Sequence, residues 1–247
     1  MTQIYVATQD GLAVLRREGA GWQAALQLAG VPVQCIVVDP LDPARVYAGT
    51  WGRGLWRSED AGATWEPAGP GITHSDVTAV AVSPVERGGM GGIVWAGTEP
   101  SALFRSDDSG RTWKESTGLQ ALPSKPTWSF PPRPHTHHVR ALAFSRQQPG
   151  LLFAAIEAGA LVRSPDGGTT WEDRVPAGPI DSHTLATHPL APGRLYAAAG
   201  EGFGRAGLGY AESPDEGATW THPDEGLTRH YLFGMAVDPA NPETVLV

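Results

Sequence analysis

Short apolar runs recur along the whole 247-residue chain, each closed by a turn rich in Gly, Pro or Asp. QCIVVDP, VYAGT and LWRSED follow one another within residues 34–60. The succession returns as AVAVSP, IVWAGT and LFRSDDSGRTW, then as ALAFSR, LLFAAI and LVRSPDGGTTW, and again as LATHP, RLYAAAG and YAESPDEGATW. The inner runs are apolar at nearly every position, as expected of strands buried on both faces. Glycine (31) and proline (22) interrupt nearly every window long enough for a helix.

Each unit ends in the pattern S-x-D-x-G-x-T-W, with Asp60, Asp108, Asp166 and Asp215 spaced 48, 58 and 49 residues apart. Four short strands per unit of about 40–50 residues is the period of a β-propeller blade. The reading is therefore an all-β chain, a β-propeller of four-stranded antiparallel blades, as one domain over residues 1–247. About five blades are expected, over 3–27, 34–68, 78–117, 140–175 and 183–222, with a closing strand or a new blade starting at 232–247. Residues 3–27 look like a blade lacking its innermost strand, and LFGMAVDP like an innermost strand that could complete it and remove an exposed edge. NPETVLV also matches DPARVYA, the start of a second strand, which favours a piece of a six- to eight-bladed ring.

Composition narrows the function classes. The net charge is −8, without a basic cluster, which argues against nucleic acid or an anionic membrane as partner. No apolar run approaches the ~20 residues of a membrane-spanning helix. Cys35 is the one cysteine, so no disulfide framework or cysteine metal site is expected. The N-terminus MTQIYVATQDG lacks the features of a secretory signal, and the expected location is cytoplasmic.

The four boxes read as turn chemistry. Asp can accept turn amides, Gly62, Gly110, Gly168 and Gly217 permit positive φ, and Trp65, Trp113, Trp171 and Trp220 return into the sheet. SPDGGTTW offers one carboxylate where a calcium loop needs six or more oxygens. Arg57, Arg105 and Arg163 share one strand slot before the box and are read as structural as well. The pattern resembles the Asp-box (BNR) repeat of sialidase-like propellers. That superfamily includes sialidases, sortilin-type receptors, xyloglucan-cleaving hydrolases and photosystem II assembly factors. The resemblance implies the fold and leaves activity open, because enzymes and non-enzymes share the repeat.

Chemistry is expected on the face away from the boxes, where propellers usually hold small molecules. Six of the eight histidines fall in the connections leading to innermost strands: His74, His135, His137, His138, His183 and His230. Glu99, Glu157 and Glu201 follow AGT, AAI and AAAG at nearly equivalent positions, with Asp76 and Asp181 close by. The connection 116–139 is much longer than the others and adds Trp128, Phe130 and Arg133; loops of this length tend to be functional. His74, His137, His138, His183 and His230 are candidate ligands for a zinc-like divalent metal, although no HExxH-type spacing is present. Trp51, Trp128, Phe130, Arg133, Arg205 and Tyr231 are candidates for binding a small molecule, glycan or protein.

The sialidase resemblance implies three carboxylate-gripping arginines, a tyrosine–glutamate nucleophile pair, an acidic aspartate and an arginine-isoleucine-proline motif. That motif does not occur in the chain, and Tyr231 is the one tyrosine in a candidate connection. Another glycosidase would need two facing carboxylates, for which Glu99, Glu157 and Glu201 are weak candidates. The leading expectation is a non-enzymatic propeller that binds a ligand or protein through its His/Glu-lined face. A glycoside hydrolase and a metal-binding propeller are the alternatives, and no cofactor is required by the sequence.

Overall fold

The computed structural model describes residues 2–89 and 91–247. Among them there is no α-helix, only antiparallel strands and three short 3-10 turns, at Thr117–Ala121, Lys125–Thr127 and Glu201–Phe203. The chain forms two compact units, one of residues 1–99 and 103–115, the other of residues 100–102 and 116–247.

The first unit holds three sheets. β1 (Gln3–Thr8), β2 (Gly11–Glu18) and β3 (Gly21–Gln27) form a three-stranded meander. β4 (Val33–Val38), β5 (Val46–Thr50), β6 (Leu55–Ser58) and β7 (Glu66–Pro67) form the second sheet. β8 (Asp76–Gly88), β9 (Gly91–Glu99), β10 (Leu103–Ser106) and β11 (Lys114–Glu115) form the third. In the second unit, β12 (Val139–Phe144), β13 (Leu152–Ile156) and β14 (Ala160–Ser164) make one sheet, and β15 (Ser182–His188), β16 (Ala191–Ala199) and β17 (Tyr210–Ser213) the next. β18 (Ala236–Asp238) and β19 (Asn241–Leu246) form a hairpin.

The fourth strands are shorter than the repeat suggests. In the second unit each shrinks to one bridge, Arg163 with Glu172 and Glu212 with Thr221. After Glu172 the chain is diverted: the Asp173 carboxylate accepts from Ser124, and Arg174 donates to the Gly159 carbonyl at 2.6 Å. After Thr221 comes His222 and then Pro223, which has no N–H to continue a ladder. The innermost strand expected at 232–239 also begins late, at Ala236. Residues 232 and 233 bind sideways instead, the Leu232 N–H to the Ala199 carbonyl and the Phe233 carbonyl to Thr184 Oγ1.

The apolar strands pack sheet against sheet within each unit. Leu12 and Val14 of the first sheet meet Val33 and Ala48 of the second, while Phe153 and Leu161 meet Leu195, Ala211 and Trp220.

The repeated box builds the same turn four times. In the first, Asp60 Oδ1 accepts from Ser58 Oγ, the Ala63 N–H and the Thr64 N–H, and Oδ2 accepts from Thr64 Oγ1 at 2.6 Å. Ser58 Oγ in turn accepts from the Gly62 N–H at 2.8 Å. The threonine, serine and glycine bonds recur around Asp108, Asp166 and Asp215. Hydrogen bonds from Thr64 and Ser58 hold the Asp60 carboxyl down at about 2. At Asp108 burial pushes upward, but bonds from Thr112, Ser106 and Arg111 outweigh it and bring the value to about 2. These carboxylates are engaged in building the turn.

Each turn contains two successive left-handed residues, such as Ser109 (φ 62°) and Gly110 (φ 81°). The first is glycine only in the third box, where Gly167 stands. Its carbonyl recruits donors from the preceding sheet. Gln3 Nε2 reaches the Ala61 carbonyl, Tyr47 Oη and Arg57 Nη1 reach Ser109, and Arg163 Nη1 reaches Glu216. The box glycine meets an aromatic ring from that same sheet, and a Cβ on Gly110 would lie 2.6 Å from Tyr47 Cε1.

Gly110→Ala is expected to destabilise the protein by about 1–3 kcal/mol, because left-handed strain and the Tyr47 clash act together. Gly69→Ala, where a Cβ meets nothing within 4 Å, should change stability by no more than ~0.5 kcal/mol. Denaturant midpoints of the two variants provide the comparison. Asp60→Asn and Asp108→Asn should each lose on the order of 1 kcal/mol at neutral pH. Both carboxyls are depressed in the folded protein, so their contribution is complete above the unfolded value of ~3.9 and lost as pH falls through about 2. The gap between wild type and variant, followed by unfolding at a series of pH values, should therefore close between those limits.

Candidate functional site

At the start of four innermost strands, β4, β8, β12 and β15, the ladder breaks register: between Val33 and Cys35, Val77 and Ala79, Val139 and Ala141, and Ser182 and Thr184. The residues left out of pairing are Gln34, Thr78, Arg140 and His183. A bulge re-aims the side chain that it releases. This end of each sheet is also where the second strand finishes, which places Glu99 and Glu157 there, with Asp76 and Asp181 immediately before the bulges.

In the second unit these positions converge. Glu157 Oε2 accepts from His138 Nε2 at 2.8 Å and lies 3.2 Å from Arg140 Nε. Glu157 Oε1 lies 3.5 Å from His183 Nε2, and Asp181 Oδ1 lies 3.7 Å from the same nitrogen. Asp181 Oδ1 also accepts from the Ala158 N–H at 2.9 Å. The same tie recurs in the first unit, where the Gly52 N–H donates to Asp76. Part of the role of Asp181 is thus to hold two adjacent sheets in register.

The orientation of His183 is set by its backbone partner. Nδ1 lies 2.8 Å from the Leu232 carbonyl, which can only accept, so Nδ1 carries the hydrogen. Nε2 is left between two carboxylates with its side chain wholly shielded from solvent, and it has no hydrogen-bond partner among the described residues. Burial would lower the His183 pKa, but attraction to Glu157, the Leu232 carbonyl and Asp181 raises it overall. Burial would raise that of Glu157, but His138, His183 and Arg140 hold it far below the ordinary carboxylate range. Glu201 moves the other way: burial and the nearby Asp181 charge raise its value. Its Oε2 is buried with no hydrogen-bond partner among the described residues, and its Oε1 accepts from the Ile180 N–H.

Glycines make room for the cluster. A Cβ on Gly200 would fall 2.2 Å from Asp181 Oδ2 and 2.9 Å from His183 Cε1. One on Gly209 would fall 2.3 Å from the His230 carbonyl, so the chain carrying residues 230–233 can lie close. That chain stacks Phe233 on His183, with centroids 5.0 Å apart and planes 13° apart. Tyr231 packs 5.0 Å from Phe233 and 6.0 Å from Phe203. Phe203 and Phe233 are 88% and 64% exposed, so three aromatic rings stand in solvent above a buried charged group.

Other residues singled out from sequence lie elsewhere. Trp128 is 5% exposed and is not a stacking platform; its Nε1 donates to Ser124 Oγ and it anchors the long connection. His137 sits edge-on to Trp128, Phe130 edge-on to His138, and Arg133 over Phe130. An open cavity of about 430 Å³ borders this connection, lined by Leu122, Lys125, Pro126, Trp128 and His137. His230 Nδ1 accepts from the Gly207 N–H, and Arg205 is exposed. His74, edge-on to Phe104, Trp51 and the buried Glu99 belong to the first unit. Phe203 and Phe233 were not anticipated from sequence; a lone phenylalanine carries no signal, whereas the glycine-rich stretch GEGFGRAGLG does mark a close approach.

Removing the Glu157 side chain should be costly, since His138 and Arg140 lose their shared acceptor. Glu157→Ala is expected to destabilise the second unit by about 3 kcal/mol. Phe203→Ala, which removes an exposed ring, should cost no more than ~0.5 kcal/mol. Thermal and denaturant unfolding of the two variants would check the contrast.

No family model matches the chain, and no curated protein matches its sequence. Solved structures do match its fold. A GH74 xyloglucanase from Xanthomonas campestris aligns with 98% of the chain at TM-score 0.68 and 20% identity. An ancestral GH74 enzyme aligns with 84% at TM-score 0.61 and 18% identity. YCF48 bound to D1 peptide aligns with 98% at TM-score 0.60 and 16% identity. The chain spans 41% of the xyloglucanase, 26% of the ancestral enzyme and 71% of YCF48. At these identities the likeness shows the fold alone: an all-β protein of the β-propeller class, with blades of three to four strands.

Proposed function

We propose that this chain is a binding propeller that takes a protein segment on the face carrying Phe203, Tyr231 and Phe233. The observation carrying this reading is the exposed aromatic group itself, seated on the buried His183–Glu157–Asp181 cluster. Exposed aromatic rings with a fixed floor offer large contact area at low entropic cost, the property of residues that dominate protein interfaces. A neighbouring fold, YCF48, is described bound to D1 peptide, which is in keeping with this reading. The four S-x-D-x-G-x-T-W turns favour placing the chain with the Asp-box propellers, as a frame on which binding residues vary.

Glycoside hydrolysis is the second reading. It is favoured by the contrast between Glu201, raised by burial, and Glu157, held ionised, since hydrolases need one acid and one base. In that reading His138 and Arg140 would hold Glu157 ionised through Oε2, leaving Oε1 as the reacting oxygen.

The test pairs a peptide array with a panel of aryl glycosides and xyloglucan oligosaccharides. Binding of peptides by the wild type, weakened about ten-fold or more in the Phe203→Ser/Phe233→Ser variant, is the expected result. Turnover of any glycoside that is lost in Glu157→Gln and Glu201→Gln would overturn the reading in favour of the hydrolase.

A further inference from the structure

We infer that Glu157, Asp181 and His183 form a binding site for one divalent cation of the zinc class. The distances carry this. A charge-assisted hydrogen bond from His183 Nε2 to a carboxylate would span ~2.7–2.9 Å. The observed separations are 3.5 Å to Glu157 and 3.7 Å to Asp181, too long for that bond. They are close to the edge of a tetrahedron around a metal with bonds of ~2.0–2.2 Å, which is about 3.4 Å. One ligand atom from each of the three residues lies within 4.8 Å of the other two.

The tautomer agrees. With Nδ1–H given to the Leu232 carbonyl, a neutral His183 points its Nε2 lone pair at two carboxylates, an arrangement that a cation relieves. That nitrogen is fully buried and has no hydrogen-bond partner among the described residues. The surroundings are those of a supported metal site. The ligating histidine gives its other N–H to a backbone carbonyl, and the Glu157 oxygen facing away from His183 accepts from His138. The donor set of one imidazole and two carboxylates suits zinc and its neighbours better than calcium, which takes oxygens throughout. Three protein ligands leave one coordination position for water or for a donor atom of a bound molecule. The site does not depend on the peptide-binding role, since it uses none of the exposed aromatic residues.

The experiment is a titration of untagged protein with Zn2+ in competition with a chromophoric chelator. One equivalent per chain is expected, with the affinity of His183→Gln and Asp181→Asn reduced about a hundred-fold. Asn at position 181 keeps an acceptor for the Ala158 N–H, so that variant tests ligation with the fold retained. His138→Gln, which removes support and no ligand, should weaken binding about ten- to hundred-fold. His135→Ala, an exposed histidine outside the cluster, should leave it unchanged. Substitution of the wild type with Co2+ should give visible d–d bands, a readout that needs no variant. Absence of zinc uptake by the wild type, or uptake that survives Asp181→Asn undiminished, would overturn the site and leave His183 as a buried imidazolium between two carboxylates.

Discussion

The sheets of each unit are held in step by a backbone carbonyl that a left-handed residue presents at the box turn. An aspartate carboxylate fixes the turn, the turn positions that carbonyl, and an arginine, tyrosine or glutamine of the preceding sheet binds it. Left-handed backbone at a non-glycine residue is strained. The strain persists because the turn around it is held at both ends, by the serine that takes the glycine N–H and by the threonine on the carboxylate. An aromatic ring of the preceding sheet rests on the box glycine, as Tyr5 does on Gly62 and Tyr47 on Gly110. The glycine owes its place to two demands together, a positive φ and the lack of a side chain where a neighbouring ring must sit.

At the opposite end of each sheet the constraint is looser. There a bulge opens β4, β8, β12 and β15, and the released residue differs each time: Gln34, Thr78, Arg140 and His183. Two of these, Arg140 and His183, lie on neighbouring sheets and share Glu157. The charged cluster arises because the repeat places one variable side chain per sheet at the same level, beside the glutamate that ends a second strand.

The fold was legible because its determinants are local. Apolar runs, turn glycines and the spacing of Asp60, Asp108, Asp166 and Asp215 are all readable from one chain, and antiparallel meanders follow with little ambiguity. Glu157, Asp181 and His183 were visible as polar residues in or beside the connections away from the boxes. What sequence could not supply was which of them meet. His137 and His138 are adjacent, yet one packs on Trp128 and the other on Glu157. The weak fourth strands were missed because side chains outside the strand, Asp173 and Arg174 among them, divert the backbone. The burial of Trp128 was not legible, because its loop folds back on it through the Ser124–Asp173 bonds.

The released residue at each bulge stands outside the strand pairing and far from the turn at the other end of its sheet. A change there alters chemistry while leaving the box turns untouched, so the two ends of a sheet can vary on separate schedules. Descendants of such a chain can therefore keep a recognisable backbone long after their ligands have parted company.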